Sequence, residues 1–141
     1  MGETKTRVAT PALMPVMSFS EGVRTIEWLC AAFGFEQAMV VAGEDGFVHH
    51  CELALGRQLL MGGSAGGDAT VWKQIAHPPG RAMFYVALDG GLEAHCERAR
   101  AAGAEIVIEI EQKEYGGADY SARDPEGNLW TFGTYVPELP R

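Results

Sequence analysis

In the run Phe47-Val48-His49-His50-Cys51-Glu52-Leu53, His50 and Glu52 are the residues whose types and spacing best suit chemistry. Two positions apart on an extended strand, an imidazole and a carboxylate stand on one face, within reach of each other or of a common ligand. As an acid-base pair they can move a proton. Alternatively, Glu52 only orients His50 by a hydrogen bond in a polar cleft. A metal site begun by this pair needs further donors. His77 and His95 are not placed to supply them, and His49 reads as a partly exposed residue near the start of the strand. His95 falls at the flank of a helix, where a surface position is ordinary. Gly62-Gly63-Ser64-Ala65-Gly66 spells the G-x-S-x-G nucleophile pattern. The chain continues from Gly66 into a glycine-rich loop rather than a helix, and this argues against a hydrolase.

The elements that must position these residues come from periodicity. Ser20 to Phe35 reads as a helix, with Ser20 as N-cap, Val23, Ile26, Cys30 and Phe33 at helical spacing, and Gly34 as its stop. A second helix starts at Asp89, carries Leu92, Cys96, Ala99 and Ala102 on one face, and ends at Gly103. Strand-like runs precede them at Met14 to Phe19 and at Ala82 to Leu88. Each helix also has three strand-like runs after it: Glu36 to Val41, Phe47 to Leu55 and Gln58 to Met61, then Glu105 to Ile110, Tyr120 to Arg123 and Leu129 to Tyr135. Gly34 and Gly103 stand about 70 positions apart, as do Met61 and Thr131, so one unit occurs twice.

The predicted fold is α+β: two βαβββ modules forming a curved mixed sheet around a cleft, helices on the outer face. A single domain is expected, with module one at about 12–62, a connection at about 63–80 and module two at about 81–137. Strand alternation places Met17 and Phe19 under a helix and Met14, Val16 and Ser18 on the cleft side. In the same way Phe84, Val86 and Leu88 oppose Arg81, Met83 and Tyr85. The third strand turns Phe47, Cys51, Leu53 and Leu55 inward and leaves Val48, His50 and Glu52 facing the cleft. The repeat makes Tyr120 the counterpart of His50, and pairs Met61 with Thr131 in the last strand of each module. Trp72, in the long connection, either stacks on a planar ligand or seals the core edge. Tyr115, beside Gly116 and Gly117, is placed at the rim of the cleft.

Composition narrows the function classes. Of 141 residues 47% are hydrophobic, enough for one buried core, and 19 acidic against 11 basic residues give a net charge of -8. The basic residues do not form a stripe that would track phosphates, so nucleic acid is not an expected partner. The segment MGETKTRVATPALMPV has neither the apolar run nor the charge order of a secretory leader, and no segment approaches membrane-spanning length. Gly2 with Thr6 meets a loose acylation pattern that often arises by chance. Cys30, Cys51 and Cys96 are odd in number, lack metal-type spacing and lie in apolar segments, which fits reduced thiols in a cytoplasm.

The sequences EWLCAAFGFE (Glu27 to Glu36), HHCEL with His50 and Glu52, and above all EYGGADYSARDPEGNLWTFGTY (Glu114 to Tyr135) resemble the glyoxalase, bleomycin-resistance and ring-cleaving dioxygenase superfamily. The resemblance runs from about Met14 to Pro137 and agrees with the paired modules. It implies metal ligands on the first and fourth strands of each module, and these places fall near Met14, Met61, Arg81 and Thr131. None is a usual donor for zinc, nickel or iron. The resemblance then implies a metal-free, bleomycin-resistance-like homodimer with no cofactor, enclosing an aromatic or antibiotic-like molecule. Met14, Val16, Met61, Met83, Tyr85, Tyr120 and Trp72 would form walls, and His50, Glu52, Arg81 and Thr131 anchors. The alternative within the superfamily is a lyase, isomerase or dioxygenase using His50 and Glu52.

Overall fold

The computed structural model describes residues 11–67 and 71–141, apart from the side chains of Trp72 and Lys73; Gly2 and Thr6 lie outside this range. Module one comprises β1 (Val16–Phe19), α1 (Gly22–Phe33), β2 (Glu36–Ala42), β3 (Val48–Leu55) and β4 (Gln58–Ser64). After a short helix α2 (Val71–Ile75), module two repeats the order as β5 (Met83–Ala87), α3 (Leu92–Ala101), β6 (Glu105–Gln112), β7 (Ala118–Arg123) and β8 (Leu129–Gly133). Each module forms its own mixed four-stranded sheet, ordered β1-β4-β3-β2 and β5-β8-β7-β6. The first and last strands of a module run parallel, and the other pairs antiparallel.

Alternation in β1 and β5 decides which face meets the helices. Met17 and Phe19 are buried while Val16 is half exposed, and Val86 is buried while Met83 and Tyr85 are exposed. In α1 the spacing of Ile26, Leu29 and Phe33 builds the facing stripe. The helix stops because Gly34 takes a left-handed conformation, φ +87°, and its N–H returns to the Cys30 carbonyl. Its start differs from expectation. Ser20 does not cap α1; its N–H and hydroxyl both donate to Glu126 Oε1, at 2.6 and 3.0 Å, from the β7–β8 hairpin. The second oxygen of Glu126 accepts from Glu21 N–H and the Thr25 hydroxyl, so a carboxylate remote in sequence serves the positive end of the helix.

The modules share one core. Phe33 of α1 lies 4.7 Å from Phe132 and 5.4 Å from Trp130, centroid to centroid. Trp28 Nε1–H donates to the Ala102 carbonyl, and Arg98 donates to the carbonyls of Ala31 and Cys30 in the last turn of α1. A second hairpin contact mirrors that of Glu126: Gln58, opening β4, donates to the Ala87 carbonyl at the end of β5. Each module's hairpin thus reaches the other where its first strand gives way to its helix.

His95 is not at the surface as its helix flank suggested. Its half-buried ring packs on Phe33, Phe132 and Tyr120. Nε2 lies 2.9 Å from the Phe33 carbonyl, which can only accept, so Nε2 carries the hydrogen and Nδ1 accepts from the Tyr120 hydroxyl at 2.6 Å. Burial, with Arg98 nearby, pushes this imidazole below its ordinary range.

Candidate ligand-binding cleft

Away from the helices, the strand ladders align one row of residues across each sheet. In module one Met39 faces Glu52, Glu52 faces Met61, and Met61 faces Val16. In module two the row is Ile108, Ser121, Thr131 and Tyr85. The cleft-floor positions on first and fourth strands are therefore Val16, Met61, Tyr85 and Thr131. Met14 and Arg81 precede their strands instead of lying on them.

Two further expectations are corrected. Val48 is buried, because the ladder skips from Val41–His50 to Ala42–Val48 and the resulting bulge at His49 turns Val48 to the core. Tyr120 is also fully buried, under α3 against His95. The repeat offset that relates Met61 to Thr131 is one residue too long for β3 and β7, where Glu52 corresponds to Ser121; a one-residue slip reverses the face.

On module one the cleft encloses about 340 Å³ and is lined by Val16, Ser18, His49, His50, Met61 and Gly63 from the sheet, with His77 and Pro78 from the connection. His50 Nε2 and Glu52 Oε2 are 2.9 Å apart, with side chains 42% and 31% exposed. Beside it a recess of about 560 Å³ is lined by Val16, Ser18, Ile75, His77, Arg81 and Asn128, so Arg81 lies at the mouth between the modules. The side chain of Trp72 lies outside the described residues.

Module two presents a different surface. A recess of about 280 Å³ is bounded by Met83, Tyr85, Tyr115, Asp119, Leu129 and Thr131. Much of its polarity is internally satisfied. Ser121 and Thr131 hydroxyls lie 2.7 Å apart, Tyr85 donates to the Tyr135 carbonyl at 2.6 Å, and Tyr115 donates to Asp119, which also faces Lys113. Gly133 makes this possible: a Cβ there would lie 2.7 Å from the Tyr85 hydroxyl. Burial and the neighbouring Asp119 raise the Tyr85 phenol above its usual range.

The DPEGN turn is a structural bracket. Asp124 is buried and accepts from Glu126 N–H, Asn128 N–H, Asn128 Nδ2 and Trp130 Nε1, while Asn128 Oδ1 accepts from Ala82 N–H. The Asp124-to-Trp130 spacing was the available signal for this network.

The four cleft-floor positions offer an alkyl group, a thioether, a phenol and an alcohol, which is not the imidazole and carboxylate set that holds zinc, nickel or iron. Among the described residues no group of three His, Cys, Asp or Glu side chains is placed to hold a metal ion. No helix among them is long and apolar enough to cross a membrane.

These features define a paired-βαβββ protein with a cleft on the sheet faces opposite its helices. The chain belongs to the glyoxalase/bleomycin resistance protein/dioxygenase superfamily, whose model matches residues 21–132. It is similar in structure to TioX from Micromonospora sp. ML1, with a TM-score of 0.72 and 28% identity over 89% of this chain and all of that one. A lactoylglutathione lyase from Agrobacterium tumefaciens shares the fold, with a TM-score of 0.60 and 19% identity over 87% of this chain and 93% of that one. In sequence the chain is 25% identical to the uncharacterized protein Rv0887c of Mycobacterium tuberculosis (strain ATCC 25618 / H37Rv) over 98% of this chain and 82% of that protein.

Proposed function

We propose that the chain is a metal-independent binding protein that sequesters a planar aromatic, antibiotic-like small molecule in the module-one cleft. The observation that carries this reading is the lining: alkyl and thioether walls from Val16 and Met61, with His50, backed by Glu52 at 2.9 Å, as the polar anchor, in place of a metal donor set. The free thiols of Cys30, Cys51 and Cys96 support a reducing cytoplasm, and burial pushes the Cys51 thiol up to about 11, which makes it inert. A homodimer is part of this proposal, and sedimentation velocity checks it.

Titration with proflavine, a planar cation, tests the reading. Saturable quenching of its fluorescence at one site per chain is expected, in protein that carries no stoichiometric zinc, nickel or iron. Stoichiometric metal, or no saturable binding of any planar aromatic, contradicts it.

The 2.9 Å contact between His50 and Glu52 favours one second reading, a superfamily lyase, isomerase or dioxygenase in which the pair acts as acid and base. His50→Ala would then abolish turnover with folding intact; retained turnover removes the pair from the mechanism.

A further inference from the structure

We infer that the module-one cleft selects aromatic ligands bearing a neutral hydrogen-bond donor, such as a phenol O–H or an amide N–H, and that the acceptor is His50 Nδ1, its tautomer fixed by Glu52. The inference rests on the binding role proposed above and specifies the ligand chemistry.

The carboxylate oxygen of Glu52 can only accept, so the 2.9 Å contact places a hydrogen on His50 Nε2. In a neutral ring this leaves Nδ1 as a lone-pair acceptor. Among the described residues Nδ1 has no hydrogen-bond partner, and His50 lines the cleft. Among the described residues the other two histidines there, His49 and His77, have no carboxylate partner that would fix a tautomer. Glu52 stands between Met39 and Met61 in the ladder row. The electrostatics agree. The described lining of this cleft contains no lysine or arginine, a carboxylate stands behind the imidazole, and the chain carries -8 overall. An anionic ligand would meet a lone pair and a negative charge, whereas a donor would meet a prepared acceptor. A ligand seated over this 42%-exposed imidazole shuts Nδ1 off from water, and one that leaves it unpaired there loses affinity, which makes this a discriminating contact and not only an attractive one.

Three probes with one ring system test this: 2-naphthol, which donates, 2-methoxynaphthalene, which cannot, and 2-naphthoate, which is anionic. Affinities are measured by equilibrium dialysis at about pH 8 with the wild-type chain, His50→Phe and Glu52→Gln. The wild type is expected to prefer naphthol over the methoxy compound by about tenfold and to bind naphthoate weakest. His50→Phe should reduce the naphthol preference to within about twofold while still binding both neutral rings. In Glu52→Gln the amide can donate to Nε2 as well as accept from it, so the tautomer is released. The preference should fall similarly and naphthoate should gain affinity.

A preference that survives in either variant overturns the assignment of His50 and Glu52 as the reader and leaves the aromatic cleft standing. If the wild type binds no neutral naphthalene, the underlying binding role fails and the inference falls with it.

Discussion

The two sheet faces that look away from the helices have the same ladder geometry and opposite contents. Across β1 and β4, module one sets Val16 and Ser18 beside Met61 and Gly63, short or flexible groups that leave a cleft about 340 Å³ in volume. Across β5 and β8, module two sets Tyr85 beside Thr131. The Tyr85 hydroxyl lies against Gly133 and bonds to Tyr135, and Tyr115 meets the Tyr135 ring edge-on. One copy of the repeat keeps a cleft with a histidine-carboxylate pair, and the other leaves a smaller recess of about 280 Å³ bounded by its own tyrosines. A duplicated fold fixes backbone positions, and the side chains at those positions then set the size and chemistry of each copy's recess.

The hairpins differ as well. The module-one turn between β3 and β4 is only Gly56-Arg57, whereas module two builds its turn around Asp124. Asp124→Ala should therefore have the largest effect on stability, about 3–5 kcal/mol in urea unfolding, because it strands buried donors on Asn128 and Trp130. A loss under about 1 kcal/mol would mean that module two does not depend on this bracket.

Val16→Tyr sharpens the comparison by giving module one the residue that stands at the same ladder position in module two. Proflavine affinity should drop at least about tenfold, with stability changed by less than about 1 kcal/mol, since Val16 is half exposed. Tyr85→Val should leave that affinity within about twofold. The opposite pattern would move the site to module two.

Glu126→Ala removes the carboxylate that joins the two modules at the start of α1 and should cost about 1–2 kcal/mol, read as a lower urea midpoint. The smallest effect concerns His95. Its folded-state imidazole is held below the ordinary range, so the unfolded chain binds more protons as the pH falls below about 6.5. The stability this neutral ring contributes is complete above that pH and declines as the pH drops toward the folded value. Urea unfolding at about pH 7.5 and 5.5 should show a loss of about 1 kcal/mol that His95→Gln abolishes. An equal loss in the variant would assign the acid sensitivity to other groups.

Much of this organisation was legible in the sequence because it is local or periodic. Met17 and Phe19 alternate with Val16 and Ser18, and Gly34 and Gly103 mark equivalent helix ends. The features that were not legible depend on long-range geometry. The bulge at His49 moved Val48, and a one-residue difference between the repeats moved Tyr120. The pairings of β1 with β4 and of β5 with β8 set Val16 and Tyr85, in place of Met14 and Arg81, opposite Met61 and Thr131 at the first-strand positions where the resemblance implied metal ligands. Ser20 has the residue type of an N-cap, yet a carboxylate more than a hundred positions away satisfies the helix start. His95 read as a surface residue because nothing near it in sequence announces Phe33 or Tyr120.

The central claim is that a planar ligand occupies module one and not module two, and methionine methyl NMR reads both faces in one spectrum. Met61 lies in the module-one cleft and Met83 beside the smaller, tyrosine-bounded recess. On titration with proflavine the Met61 methyl signal should move upfield by ring current and saturate with the fluorescence change, while Met83 stays in place. A saturating shift at Met83 with Met61 unmoved would contradict the account.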